Sequence, residues 1–157
     1  MKGGVWDLLF IVLAMFMLGF GILIAYTIIT EVIATVSFSS TATGVLTNAQ
    51  TAVATFNLGF IIIFVGLAAT TVILAYMVPS HPIFIVTGVL TLVVLMVLIP
   101  IFSNAFGTMA ADTQLSTAAA SFPIMTYIMD SMPLWTAVTG MLIIIVMYVK
   151  WRNQSGY

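Results

Sequence analysis

The chain has no cysteine and almost no charge: three basic and four acidic residues in 157. Without cysteine there is no disulfide scaffold, no thiolate nucleophile and no cysteine-ligated metal. The seven charges are Lys2, Asp7, Glu31, Asp112, Asp130, Lys150 and Arg152, net −1, too few to build a water-facing surface or a field that gathers nucleic acid. What is abundant is apolar: 63% hydrophobic residues and a mean hydropathy of +1.30. These proportions place the chain in a lipid bilayer.

Between Val32 and Ala111 there is no Asp, Glu, Lys or Arg. As one helix that run would be about 120 Å long, against a hydrocarbon core of about 30 Å, so it must turn back. Residues 37–51, small and hydroxyl-rich, supply one break. Val78-Pro79-Ser80-His81-Pro82 ends one helix and starts another. A third polar stretch runs from Ser103 to Ser121. The sequence therefore predicts an all-α integral membrane protein forming a single domain over residues 1–157, with four spans near 7–36, 53–78, 82–102 and 132–150. Pro100 is expected to kink or end the third span, and Asp130-Ser131-Met132-Pro133 to cap the fourth, with residues 122–129 a short interfacial helix before it. The uncharged run from Leu8 to Thr30 exceeds a signal-peptide core and is read as a retained span.

Four spans put both termini on one side with Lys2, Lys150, Arg152 and the His81 turn, which the positive-inside rule makes cytoplasmic or particle-interior. Trp6, Tyr76, Tyr148 and Trp151 are candidate anchors at that interface, and Tyr127 and Trp135 at the other. Small residues recur at helical spacing, as Ala14, Gly21 and Ala25 in the first segment and Ala52, Gly59 and Gly66 in the second. Such stripes let backbones approach closely, within one chain or between copies. Asn48–Phe56 echoes Asp112–Phe122, both polar, alanine-rich approaches ending in phenylalanine, which suggests two tandem helical hairpins.

The pattern offers no catalytic residue, cofactor site or metal site. One histidine cannot make a zincin pair, Gly19-Phe-Gly21 lacks the third glycine of a dinucleotide loop, and His81 sits on the opposite side from Asp112 and Asp130, so no triad forms. Glu31 is an intramembrane acid by sequence, but twenty-four residues beyond Asp7, about 36 Å of helix, it reaches the far interface and is read as solvated. Thr51, Thr55 and Asn57 begin a polar stripe of the kind a pore needs, and Ile61 to Val65 ends it.

The stretch from Phe122 to Lys150 has a Met-Pro-Leu-Trp element after a polar small-residue loop, then an aliphatic helix ending in Tyr148, Val149 and Lys150. It resembles the C-terminal helix of the small hydrophobic capsid proteins of archaeal spindle-shaped viruses, and similar short proteins line the internal membranes of tailless icosahedral viruses. The resemblance covers residues 122–150, and the chain departs from that family in having four apolar segments where two are typical. It implies a structural membrane protein whose partners are the lipid bilayer, many copies of itself and other membrane or capsid proteins, with no specific nucleic-acid binding. Rival readings are a small pore-forming or transport protein, such as a holin or an ion-conducting subunit, and an accessory subunit of a large membrane complex.

Overall fold

A computed structural model describes residues 5–77 and 81–154, without the side chains of residues 5 and 6. Lys2, the Trp6 side chain and the Val78-Pro79-Ser80 break lie outside the described residues. Six helices follow one another: α1 (Val5–Thr35), α2 (Ser40–Met77), α3 (Pro82–Ala110), α4 (Ser116–Ser121), α5 (Pro123–Asp130) and α6 (Met132–Gln154). Four of them, α1, α2, α3 and α6, are long and apolar enough to cross a membrane. In lipid a backbone must satisfy its own polar groups, and a helix does so within one segment.

The helices are longer than the expected spans, for physical reasons. Residues 37–51 are not a loop, because the break narrows to the few residues before Ser40. Ser39 Oγ accepts from Ala42 N at 3.4 Å, as an N-cap does. Thr43, Thr47, Thr51 and Thr55, spaced by four, then donate their hydroxyls to the carbonyl four residues back at 3.0–3.2 Å. A hydroxyl bonded this way stays inside the helix it would otherwise compete with. Pro100 does not end α3, which runs on to Ala110; a membrane helix tolerates the one lost backbone bond. The two prolines around His81 act as read from the sequence at their described end: His81 Nδ1 accepts from Ile83 N at 3.4 Å and Pro82 opens α3.

The chain between α3 and α6 also departs from expectation. Phe122 precedes Pro123, which disfavours the helical region, and its φ, ψ of −124°, 58° separate α4 from α5. α5 covers residues expected to form a short helix, with one face turned inward: Met125, Ile128 and Met129 are buried with Phe122 in the core, while Tyr127 and Asp130 are exposed. Asp130 ends α5 instead of capping α6, and Ser131, whose carbonyl accepts from Trp135 N at 3.1 Å, opens α6. The echo between Asn48–Phe56 and Asp112–Phe122 has no structural counterpart: the first lies inside α2, the second spans a turn, α4 and its junction.

α1 pairs most extensively with α2 and α3 with α6, so the chain forms two hairpins, with α4 and α5 inserted into the second and packed against the spans. The shared core is built from Leu23, Phe60, Leu95, Ile99, Phe106 and Ile143. Gly140 is where α6 meets α3 most tightly, because a Cβ added there would overlap Leu92 Cδ1. Gly19 brings α1 close to α3 and α5, its added Cβ falling 3.6 Å from Phe106 and 3.7 Å from the sulfurs of Met125 and Met129.

Candidate functional site

The exposed side chains mark where the bilayer lies. Along α2 large apolar residues are exposed from Phe56 to Met77, along α3 from Ile83 to Ile101, and along α6 from Leu134 to Val149. About twenty residues of helix cover about 30 Å, so the belts of α2 and α3 match the hydrocarbon thickness, while that of α6 is shorter, at about 24 Å. One rim holds Tyr76, Tyr148, Trp151 and Lys150. The Lys150 ammonium donates to the Tyr76 carbonyl and lies 5.4 Å from its ring centroid, while Tyr148 and Trp151 are 6.0 Å apart. Trp135 packs edge-on against Phe64 with ring centroids 5.8 Å apart. On α6 Trp135 stands next to Leu134, where the exposed belt of that helix begins.

At the opposite rim the polar groups of three spans converge on α4 and α5. The first turn of α5 has two free N–H groups, and its own N-cap, Phe122, offers no side-chain acceptor. Asn57 of α2 supplies one, its Oδ1 accepting from Ile124 N and from Met125 N, each at 3.1 Å. At the other end of α5, Ser103 Oγ of α3 lies 2.9 Å from the Met129 carbonyl and 3.0 Å from that of Asp130, and donates between them. One short helix is thus fastened at both ends by side chains of two different spans. α1 adds Tyr26, edge-on to Phe122 at 5.1 Å, with Ser121 Oγ donating to Tyr26 Oη at 3.3 Å, and Gln50 Nε2 of α2 donates to Thr30 Oγ1 at 2.9 Å. Such polar contacts hold membrane helices together where the hydrophobic effect does not act between them.

Beyond this layer α1 crosses the turn before α4 and leaves two adjoining clefts that share Thr27 and Gln114. Glu31 is exposed there and lines the smaller, of about 240 Å³; Asp112 lines the larger, of about 630 Å³. Among the described residues no three His, Cys, Asp or Glu side chains gather as a metal-ligand set. Of the expected pore stripe, Thr51 and Thr55 are exposed and bonded within α2, and Asn57 serves α5.

Compared with known protein families, curated proteins and solved structures, the chain matches none.

The small-residue stripes do not hold the chain's own helices together. Ala14, Gly21, Ala52 and Gly66 are exposed, Ala25 and Gly59 half-buried. A Cβ added at Gly21 or Gly66 meets nothing within 4 Å, and one at Gly59 meets only the Phe56 ring of its own helix. The glycines that do serve internal packing, Gly19 and Gly140, fall outside the spacing that singled out the others. Asn57 and Ser103 carried a signal that was assigned elsewhere: each is a polar residue at the edge of an apolar run, which in lipid calls for a partner.

Proposed function

We propose that the protein is a non-enzymatic structural component of a membrane, packing with copies of itself and lipid in a multi-subunit assembly such as a viral capsid or virion membrane. The observation that carries this reading is the outward-facing stripe Ala14, Gly21, Ala25 on α1 with its counterpart Ala52, Gly59, Gly66 on α2, where the chain itself leaves Gly21 and Gly66 uncovered. Glycine in a helix interior costs roughly 1 kcal/mol relative to alanine, and close approach by another helix is what offsets that cost in lipid. Two further features support it. Phe60, Leu95, Ile99 and Ile143 fill the interior of the bundle, which speaks against conduction through one chain. The resemblance of residues 122–150 to viral membrane-shell helices points to the same role.

The test is assembly itself. Gly21→Leu and Gly66→Leu are expected to insert and melt like the wild type, because both positions are exposed and a Cβ added at either meets nothing within 4 Å. They are expected to lower the oligomer or particle fraction in cross-linking and sedimentation at least about tenfold, the effect of separating helices at a contact worth roughly 1–3 kcal/mol. Ile63→Leu, a lipid-facing swap, is the control. Oligomers unchanged in both glycine variants would remove the main support for the reading. An ion flux in liposomes that the same variants abolish would move the protein to the conducting class.

Orientation follows from Lys2, Lys150 and Arg152, which put both termini on the cytoplasmic or particle-interior side. The chain's lack of cysteine makes the check direct. Single cysteines at Ser40 and Ala111 are expected to react with an impermeant thiol reagent in intact cells, and those at His81 and Gln154 only after lysis. Labelling of positions 40 and 154 from the same side would end the four-span arrangement.

A further inference from the structure

We propose that the trough where α1 crosses the turn before α4 holds one lipid by a primary ammonium headgroup. The inference is independent of whether copies associate. Its first ground is the amphipathic lining: the larger cleft is walled by Phe20, Ile24 and Ile28 of α1 with Met109 and Leu115, and passes through Thr27 and Gln114 into the smaller one, lined by Thr30, Glu31 and Thr117. An acyl chain along the first wall delivers its headgroup to the second. Depth is the second ground. Thr27 ends the roughly twenty-residue apolar run of α1 that begins at Leu8, so the junction of the two clefts lies where a bilayer changes from chains to headgroups.

Charge selects the headgroup. Glu31 and Asp112 line the two clefts and Asp130 lies at the same end, whereas Lys150 and Arg152, the basic residues among those described, lie at the other end of the spans. An anionic lipid would meet carboxylates and no cation. A primary ammonium instead meets Glu31 in the smaller cleft, with Asp112 on the wall of the adjoining one, and the hydroxyls of Thr27 and Thr117 offer acceptors. The lipid's phosphate keeps its place in the headgroup layer, within reach of the Gln114 amide that lines both clefts. Asp112 has one oxygen engaged, Oδ1 accepting from Gln114 N at 2.9 Å, which fixes the carboxylate and leaves the other oxygen for the ligand.

The experiment uses the full chain in maltoside micelles doped with equal mole fractions of phosphatidylethanolamine and phosphatidylglycerol, with retained lipid counted by native mass spectrometry. One phosphatidylethanolamine per chain is expected, with phosphatidylglycerol at background. Glu31→Gln combined with Asp112→Asn should lower phosphatidylethanolamine occupancy at least about tenfold, the loss of roughly 1.4 kcal/mol of binding. Asparagine at 112 keeps the oxygen that accepts from Gln114, and Glu31→Gln alone, at an exposed position, should already weaken retention without altering the melt. Asp130→Asn, an acid at the same end but outside both clefts, should leave retention unchanged. Equal retention of the two lipids, retention undiminished in the double variant, or an equal loss in Asp130→Asn would each overturn the proposal.

Discussion

Gly140→Leu is expected to give a chain that reaches the membrane and fails to hold its tertiary structure. Even one added carbon at this position overlaps Leu92, with Leu92 Cγ a further 3.3 Å from it, so α6 must move off α3 or Leu92 must leave its rotamer. Leu92 is half-buried and its end can turn aside for one carbon, but a whole leucine must also find room on a face of α6 that carries the buried Ile143. Overpacking of this kind costs about 1–3 kcal/mol, and a full leucine belongs at the top of that range. Unfolding in a denaturing-detergent titration should show the midpoint shifted down by about 3 kcal/mol of stability, with helix content nearly kept. The contrast with Gly66→Leu is the informative part: the same substitution is predicted to break the fold at one glycine and only the association of copies at the other. If Gly140→Leu melts like wild type while Gly66→Leu does not, the inward and outward faces have been exchanged.

The second large effect belongs to Asn57. Replacing it by leucine removes the acceptor for two N–H groups at the start of α5, and Met125 N belongs to a buried residue. Each orphaned buried group costs about 1–3 kcal/mol, so the pair should lower stability by about 3 kcal/mol. Asn57→Asp restores an acceptor and should recover most of the loss, while Thr55→Ala, two residues away at an exposed and internally satisfied hydroxyl, should be silent. Backbone amide exchange at Ile124 and Met125 gives the local readout, because these protons should exchange much faster in Asn57→Leu than in wild type. Unchanged protection there would show that α5 is held by its apolar contacts alone.

These two positions also show what the sequence could and could not disclose. The four spans were legible because composition and run length decide whether a helix can live in lipid, whatever its neighbours do. Their ends were less legible. Hydroxyl-rich residues 40–51 read as a loop on propensities that describe helices in water, and the i, i+4 spacing of Thr43, Thr47, Thr51 and Thr55 turned them into helix. Pro100, expected to kink or end the third span, does not end it and stands inside α3. Side-chain partners were out of reach, because nothing local to Asn57 distinguishes a pore-lining amide from one that caps a helix elsewhere in the chain. The glycine stripes on α1 and α2 were found by spacing, yet spacing does not say which way a stripe faces.

The fastening of α5 also orders events during synthesis. Ile124 follows Asn57 by 67 residues, and at about 5–20 residues per second the amide waits roughly 3–13 s for its partner to be made. By the end of that interval α1, α2 and α3 have been made, while α6 has yet to be. A lone amide at the middle of the hydrocarbon would spend those seconds without a hydrogen-bonding partner. Asn57 instead stands twenty residues, about 30 Å, from Met77, at a depth that water reaches. The fastening of α5 waits at the wet end of the bundle, and the residue that makes it remains hydrated until then.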